Sequence, residues 1–433
     1  MDMQAIERAL KESLLLDLGN PELLNKLAKL CYARGHFTEA RLMNTKAIEG
    51  CSDPSLKEII RMELYRVERS IQYEPSNDAL HTPDFVDLLV KELLENSAND
   101  YRYNVDFEMY ELFRTPVTDT LEVVNPAEER YQVVKHLQGI SDLYHLLADQ
   151  ASRDLLIKLL AFRMLGNKKV MLPLNVPEYW SSRQFVRQLK SSSDPIKTRF
   201  HQWDLHLFDL RPLGYDIHFY CFPIGLSATF VEKQYEYGQV TPTIKAEPGD
   251  IVIDAGGCFG DTALYFAHEV GETGHVYTFE FIPSNLEIMK KNVQLNPSLQ
   301  ERISIVEHAV WNESNQTLYY IDQGPASFVA FSKIAGDYDT TLTLSIDGLV
   351  KQKDLDRIDF IKMDIEGGEL SALKGAKESL KAFRPKLAIT IYHQISDFEN
   401  IARYINDLNL GYRFYLGHYT IYAQETVLFA ISD

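Results

Sequence analysis

The sequence predicts an α/β fold with a doubly wound sheet in its second half, preceded by a mostly helical region. Glycine usage is the first observation, because five of the 22 glycines lie in the first 200 residues and seventeen in the last 233. Helices avoid glycine, whereas alternating strands, loops and helices need it in turns. The second observation is an apolar β-branched run at 251–253 that leads into a glycine-rich loop. We place the domains at 1–75, 76–210 and 211–433.

Composition narrows the class of protein. The chain has 433 residues and a net charge of −18, from 44 Lys and Arg against 62 Asp and Glu. Aromatic residues make up 11% of it, which argues against disorder. The chain has only four cysteines and no CxxC pair, which excludes a disulfide scaffold. A surface this acidic repels the phosphates of nucleic acid, which argues against a nucleic-acid-binding protein.

The N-terminus and the apolar runs bear on location. The first residues, MDMQAIERALKESLLL, lack the basic and then apolar pattern of a signal peptide. No uncharged apolar run reaches the roughly 20 residues that a membrane span needs. We therefore expect a cytoplasmic protein without a membrane span.

The first domain, residues 1–75, contains a helical repeat pattern. Residues 21–54 hold two helical stretches separated by Gly35, and this segment resembles a tetratricopeptide repeat. The apolar face of the first stretch comprises Leu24, Leu27, Ala28 and Cys31. Fewer than three repeats are visible, so a generic helical hairpin is the alternative. The resemblance implies a surface for a protein partner or for self-association. Residues 76–210 show helical periodicity and no chemical motif.

The third domain begins with residues 217–223 and 227–237, which fit short strands. The segment 249–262, GDIVIDAGGCFGDT, then predicts a buried strand, a tight turn and a helix, where open α/β sheets bind ligands. A dinucleotide fingerprint needs GxGxxG, whereas this loop lacks the middle glycine, and Asp261 would repel phosphate. Two carboxylates, Asp254 and Asp261, suit a cofactor with a cationic end, such as S-adenosylmethionine. The pattern D-x-G-x-x-x-G resembles the first motif of the class I methyltransferases.

Two further strands follow the glycine loop. The strand at 275–281 ends near Glu280, where a carboxylate accepts hydrogen bonds from ribose hydroxyls. That role is shared with NAD-binding proteins, so it does not separate the two cofactors. The strand at 303–310 ends at His308 and Ala309, a position that lies beside the adenine ring in the methyltransferase plan.

A second constellation lies in residues 358–376, IDFIKMDIEGGELSALKGA. It predicts another buried strand, with Asp364 and Glu366 emerging at its end. Two carboxylates at this spacing suit either proton transfer or metal ligation. For Glu369 we expect a capping or salt-bridging role at the following helix.

The run FIKMDIEGGELSALKGA, with DAGGCFGDTALYF upstream and RPKLAITIYH downstream, resembles the FkbM family of methyltransferases over residues 240–393. The resemblance implies a class I methyltransferase fold, a Rossmann-like sheet of seven strands with an edge hairpin formed by 412–418 and 425–432. It also implies S-adenosylmethionine as cofactor and methyl transfer to an oxygen, commonly a hydroxyl of a sugar or another natural product. Cys258 departs from the family, which more often has a polar residue there.

The motifs and the resemblance together define a candidate cofactor site. Its residues are Asp254, Gly256, Gly257, Gly260, Asp261, Thr262, Glu280, Phe281, His308, Ala309 and Ser327. Ser327 is included because the family has a small serine-containing segment after the third strand.

The candidate catalytic residues are Asp364, Glu366 and His393. Methyl transfer to a hydroxyl needs alignment of the reactants and a general base. His393 ends the run 387–393 at the same sheet edge as Asp364, so we assign it as the base; a structural histidine is the alternative. Asp364 would hold the methionine end of the cofactor, orient the base or bind a divalent cation. The spacing of the three residues is too loose to predict a metal site.

Two other functional classes compete with a methyltransferase. An NAD-type oxidoreductase is disfavoured by the glycine spacing and by the lack of a Tyr-x-x-x-Lys pair near the site. A non-catalytic scaffold that keeps the fold is the other class. We expect a small-molecule or glycan acceptor and no nucleic-acid partner.

Overall fold

The computed structural model describes residues 3–73, 84–101, 104–105, 125–191, 194–199, 203–333 and 338–432. The chain divides into two compact units. The first consists of the described residues of Met1–Tyr144, Arg153–Leu172 and Ile421–Ala423. The second consists of those of His145–Ser152, Pro173–Thr420 and Gln424–Asp433.

Helices dominate the first part of the chain. They are α1 (Met3–Leu16), α2 (Pro21–Ala33), α3 (Phe37–Gly50), α4 (Pro54–Tyr73), α5 (Phe85–Asn96), α6 (Pro126–Lys135), α7 (Leu137–Leu146), α8 (Gln150–Leu165) and α9 (Pro177–Gln188). No helix in the described part of the chain is long and apolar enough to cross a membrane. The prediction of a helical N-terminal region is confirmed.

The hairpin of α2 and α3 follows from local sequence signals. Asn20 caps α2 by accepting hydrogen bonds from two backbone N–H groups, and Pro21 occupies the first turn. Gly35 adopts a φ of +78° in the turn between the helices. Ala40 and Ala47 of α3 are fully buried, so the two helices can approach closely. The resemblance to a tetratricopeptide repeat stays a prediction.

Fourteen strands are assigned within the described ranges. They are β1 (Ile196–Lys197), β2 (Asp204–Asp209), β3 (His218–Cys221), β4 (Ile251–Ala255), β5 (His275–Phe279), β6 (Ile303–Val306), β7 (Ala309–Val310), β8 (Thr317–Ile321), β9 (Phe328–Ala330), β10 (Asp339–Leu344), β11 (Phe360–Met363), β12 (Lys386–Thr390), β13 (Arg413–His418) and β14 (Thr426–Ile431).

A seven-stranded sheet forms the centre of the second unit, in the order β13–β14–β12–β11–β4–β5–β6. The five strands from β12 to β6 are parallel, and β14 runs antiparallel to both of its neighbours. The predicted seven-stranded α/β fold is therefore confirmed, including its antiparallel edge hairpin. Smaller sheets join β1–β2–β3 and β7–β10–β8–β9.

Helices alternate with these strands, as a parallel sheet requires. They are α10 (Pro223–Leu226), α11 (Asp261–Glu269), α12 (Pro283–Gln294), α13 (Pro297–Gln300), α14 (Ile346–Lys353), α15 (Glu369–Lys374), α16 (Lys377–Phe383) and α17 (Ile395–Asp407). The central strands are buried, with Ile253, Phe360 and Ile389 fully inaccessible. The sheet therefore fixes the positions of the loops at its carboxyl edge.

Two segments differ from the strands that the sequence predicts. The prediction of strand at 227–237 is wrong, because Pro223 starts α10 and a π-helical turn continues over Ser227–Val231. That turn places Phe230 in the core against Tyr215 and Tyr265. The predicted strand at 303–310 is interrupted, because the chain leaves the large sheet after Val306 and resumes as β7 in another sheet.

Candidate functional site

The glycine loop after β4 is held by close packing. A Cβ on Gly256, whose φ is +89°, would lie 1.9 Å from the carbonyl oxygen of Asp364. A Cβ on Gly257 would lie 2.1 Å from Oγ1 of Thr278. Gly260 adopts a φ of +87° at the start of α11. These glycines let the loop lie directly against the ends of β5 and β11, so the two sequence motifs meet at one edge.

Asp254 lies beneath this loop in a buried network. Strand register places Lys362 of β11 and Thr278 of β5 directly beside Asp254 of β4. Lys362 Nζ lies 3.0 Å from Asp254 Oδ1. Thr262 and Thr278 donate hydrogen bonds to Oδ2 over 2.9 and 2.8 Å. We call Asp254, Thr262, Thr278 and Lys362 the Asp254 network.

The network also fixes the loop backbone. Lys362 Nζ donates to the carbonyl oxygen of Gly256 over 2.6 Å, and its side chain is 1% exposed. Burial lowers the pKa of Lys362, but the charges of Asp254 and Asp364 outweigh it and raise the pKa above its usual value. The lysine therefore stays charged. Both carboxylate oxygens of Asp254 have partners inside the protein, so the residue supports the loop from below.

Glu280 follows β5 and is held in one orientation. Its Oε1 accepts hydrogen bonds from the backbone N–H groups of Phe281 and Ile282, over 2.7 and 2.8 Å. Its Oε2 accepts one from Asn285 over 3.1 Å. Burial raises the pKa of Glu280 to about 7, against these hydrogen bonds. A fixed carboxylate at this edge of the sheet can accept hydrogen bonds from a ribose.

Four other predicted cofactor residues lie around this edge with contacts of their own. Asp261 accepts a hydrogen bond from Thr229 over 3.0 Å, and burial raises its pKa. The ring of Phe281 lies 5.3 Å from that of Tyr320. His308 and Ala309 lie where the chain passes from β6 to β7.

Ser327 is tied to its own turn. Its hydroxyl donates to the carbonyl oxygen of Gly324 over 2.6 Å and accepts from the N–H of Gln323 over 3.1 Å. These contacts hold a short 3₁₀ turn rather than the glycine loop.

A second cluster lies at the end of β11, beside the glycine loop. We call Asp364, Glu366, Glu369 and His393 the His393 cluster. Nε2 of His393 lies 3.5 Å from Asp364 Oδ1 and 3.6 Å from Glu366 Oε2, and Nδ1 lies 3.3 Å from Glu369 Oε1. The imidazole is therefore surrounded by three carboxylates, and the structure brings all three predicted catalytic residues together.

Backbone geometry explains how Glu366 and Glu369 reach the imidazole. Glu366 has a φ of +56°, which is uncommon for a residue other than glycine, and Gly367 follows with a φ of +92°. Glu369 begins α15, and its Oε1 accepts hydrogen bonds from the N–H of Ile365 and the hydroxyl of Thr390. The carboxyl group of Glu369 is thus held by the turn that precedes α15, and it also faces His393.

The carboxylates set the charge of His393. Burial lowers its pKa, but Glu369, Asp364 and Glu366 outweigh burial and raise the pKa to about 9. A histidine with this pKa carries a proton at neutral pH when no other cation is nearby. It can act as a general base only after that proton has left.

Sequence reasoning missed several residues that complete the site. Tyr235 and Tyr392 donate hydrogen bonds to the two oxygens of Asp364, over 3.2 and 3.3 Å. Glu425 accepts a hydrogen bond from Gln234, and burial together with the charge of Asp364 raises its pKa. Lys362 had a signal, as the lone charge in the apolar run FIKM. Tyr235 and Glu425 had none, because they come from segments distant in sequence.

Comparisons with known proteins agree with this arrangement. Residues 254–414 match the family model described as the Methyltransferase FkbM domain, a range that holds every candidate site residue. These residues are therefore similar to a methyltransferase domain of this kind. No curated protein sequence matches the chain.

Three solved structures illustrate the structural likeness. The methyltransferase FkbM from Methylobacillus flagellatus KT is 18% identical, with 69% of this chain and 60% of that one covered, and a TM-score of 0.45. The chain thus spans less than two thirds of that protein. An O-methyltransferase from Bacillus cereus in complex with SAH is 13% identical, with 48% and 80% covered and a TM-score of 0.30. Aeropyrum pernix fibrillarin with natively bound S-adenosyl-L-methionine is 11% identical, with 43% and 68% covered and a TM-score of 0.29. The family model and the strand order carry the assignment, since TM-scores this low support no functional argument.

Proposed function

We propose that the chain transfers a methyl group from S-adenosylmethionine to a hydroxyl oxygen of a small molecule or glycan. One observation carries the proposal: the glycine loop lies directly against Asp364, where a Cβ on Gly256 would meet the carbonyl oxygen at 1.9 Å. The glycine loop, which would bind the cofactor, therefore lies beside the His393 cluster. A site with these two parts suits the transfer of a group from a cofactor to an acceptor.

The residues at the loop fit S-adenosylmethionine better than a dinucleotide. S-adenosylmethionine carries an ammonium and a sulfonium and no phosphate, and it supplies an electrophilic methyl group when bound. Asp261 at the start of α11 would repel a pyrophosphate, and the acidic edge would attract a cation. Glu280 would hold the ribose through its fixed carboxylate, and the backbone of Gly256 and Gly257 would line the cofactor.

The His393 cluster would face the acceptor. Methyl transfer needs the acceptor oxygen in line with the methyl group and the sulfur, so positioning is the main contribution of the protein. Asp364 is fixed by Tyr235 and Tyr392 and can orient a hydroxyl group. His393 is the candidate base, and Glu366 is the most exposed member of the cluster, with a side chain 63% exposed.

The helical first unit has a separate proposed role. We propose that α2 and α3 take part in contacts with a protein partner or a second copy, and that the protein is cytoplasmic. The first proposal rests on the repeat resemblance, and the second on the four free cysteines, which are typical of a reducing compartment.

Calorimetry with S-adenosylhomocysteine and with NAD tests the cofactor directly. We expect a dissociation constant in the micromolar range for S-adenosylhomocysteine, roughly −8 kcal/mol of binding free energy, and no heat with NAD. Binding of NAD alone would overturn the proposal in favour of an oxidoreductase. Binding of neither would favour a scaffold. Transfer of a labelled methyl group to a panel of sugars and polyketides then identifies the acceptor.

A further inference from the structure

The imidazole of His393 is buried, and three carboxylate oxygens lie 3.3 to 3.6 Å from its ring nitrogens. Its side chain is 8% exposed, and neither ring nitrogen makes a hydrogen bond to any residue that the structure describes. Oε2 of Glu369, whose side chain is 1% exposed, also has none among the described residues. Buried polar atoms are almost always hydrogen-bonded, so these three atoms at one point indicate a missing ligand.

The charge around this point indicates a cation. Asp364, Glu366 and Glu369 each place a carboxylate oxygen 3.3 to 3.6 Å from a nitrogen of the same ring. One ligand atom each from Asp364, Glu369 and His393 lie within 4.8 Å of one another. Carboxylates this close together repel each other unless positive charge lies between them, and a divalent cation would supply more of that charge than the proton of His393 does.

We propose that Asp364, Glu369 and His393 bind a divalent cation, and that the exposed carboxylate of Glu366, 3.6 Å from Nε2, completes the ligand set. Neighbouring ligands of an octahedral ion lie about 3 Å apart, since metal–oxygen bonds are about 2.1 Å long. The observed 3.5 and 3.6 Å need only a small approach, and the exposed side chain of Glu366 can move.

The ligand set selects the kind of cation. Carboxylate oxygens suit Mg²⁺ and Mn²⁺, and one imidazole favours Mn²⁺ over Mg²⁺. The role of the cation rests on the proposed methyltransferase function. Beside an acceptor hydroxyl the cation would take over the part of His393 as base: it would favour loss of the proton to solvent, and the oxygen would then bond to the methyl carbon. The carbon–sulfur bond breaks in the same step and its electron pair stays on sulfur.

Binding of Mn²⁺ to the full-length chain, without cofactor, tests the site by electron paramagnetic resonance. We expect one bound Mn²⁺ with a dissociation constant of about 10⁻⁴ M or tighter in the wild type. Glu366→Gln and His393→Gln should each weaken it roughly tenfold or more. Glu378→Gln is the matched control, because Glu378 is a surface residue paired with Lys381 and its side chain is 69% exposed. It should bind Mn²⁺ as the wild type does.

Two results would overturn the proposal. One is the absence of bound Mn²⁺ in the wild type. The other is equal Mn²⁺ binding by the wild type and by Glu366→Gln. Because the side chain of Glu366 is exposed, this substitution should not disturb folding. Calorimetry with S-adenosylhomocysteine on the same samples separates this inference from the proposed function. Cofactor binding without Mn²⁺ binding refutes only the cation site, and Mn²⁺ binding without cofactor binding refutes only the methyltransferase proposal.

Discussion

The Asp254 network and the His393 cluster lie at the same edge of one sheet but differ in how their polar atoms are satisfied. In the Asp254 network, a buried lysine and two threonine hydroxyls contact the carboxylate within 3.0 Å. In the His393 cluster, both ring nitrogens and one carboxylate oxygen lack hydrogen bonds to described residues. Oδ1 of Asp254 has no hydrogen bond either, but the buried Lys362 ammonium lies 3.0 Å from it, whereas the carboxylates lie 3.3 to 3.6 Å from the ring nitrogens of His393. The charges of the first part are therefore closely paired without a ligand, and those of the second are not.

The difference shows how the two parts would work. A network with internal partners holds the glycine loop in one shape before the cofactor arrives, which reduces the cost of ordering on binding. Three carboxylates around one imidazole leave negative charge uncompensated, and such a cluster gains most when a cation enters. The protein would thus preform the cofactor end and leave the reacting end for the acceptor and cation to complete.

The largest expected effect is the loss of folding stability caused by Lys362→Met, a substitution in the Asp254 network. Removing the lysine leaves the fully buried Asp254 without its counter-charge, and such losses typically destabilise by about 3 to 5 kcal/mol. Urea unfolding of the full chain measures the loss. Lys381→Met is the control, since an exposed ion pair contributes about 1 kcal/mol or less. If Lys362→Met lost as little stability as Lys381→Met, the ion pair of Lys362 and Asp254 would not be what stabilises the network.

A smaller effect is expected on the pH dependence of S-adenosylhomocysteine binding, because the pKa of Glu280 is raised. Its pKa is raised to about 7, so the carboxyl group of the free protein becomes protonated as the pH falls below 7. If the ribose binds the ionised form, the affinity for S-adenosylhomocysteine falls with pH, by up to about tenfold per unit. Above pH 8 the affinity should be constant. Calorimetry at pH 6, 7 and 8 measures this.

The control for the pH dependence is Glu280→Gln, which cannot titrate. Lys362 and Cys258 are two titratable groups that interact electrostatically with Glu280. Both have raised pKa values and do not change charge between pH 6 and 8. The variant should bind weakly and equally at all three values. An equal slope in variant and wild type would assign the pH dependence to another group.

Most strands of the large sheet and part of the candidate site could be predicted from the sequence. Buried strands followed by glycines or acidic residues marked β4 and β11, because a parallel sheet places those ends together. The segment at 227–237 was wrongly predicted as a strand, because its alternating apolar residues also suit a helical turn packed on one side. The three-part division of the chain and the repeat resemblance stay predictions.

The internal partners of the site needed three-dimensional information. Lys362 reaches Asp254 only because β11 and β4 pair in that register. Tyr235 contacts Asp364 from a segment 129 residues away in the sequence. Glu425, whose pKa is affected by Asp364, comes from the edge hairpin. Long-range pairings of this kind leave no periodic pattern in the sequence.

The most direct test of the two-part site compares Glu280→Gln with Glu366→Gln in binding S-adenosylhomocysteine at pH 8. Loss of the charged acceptor in Glu280→Gln should weaken binding at least tenfold, since hydrogen bonds to charged groups contribute about 1.5 to 3 kcal/mol. Glu366→Gln should bind within about twofold of the wild type, because its side chain belongs to the acceptor end. Unchanged binding in Glu280→Gln, or equal losses in both variants, would contradict the division of the site.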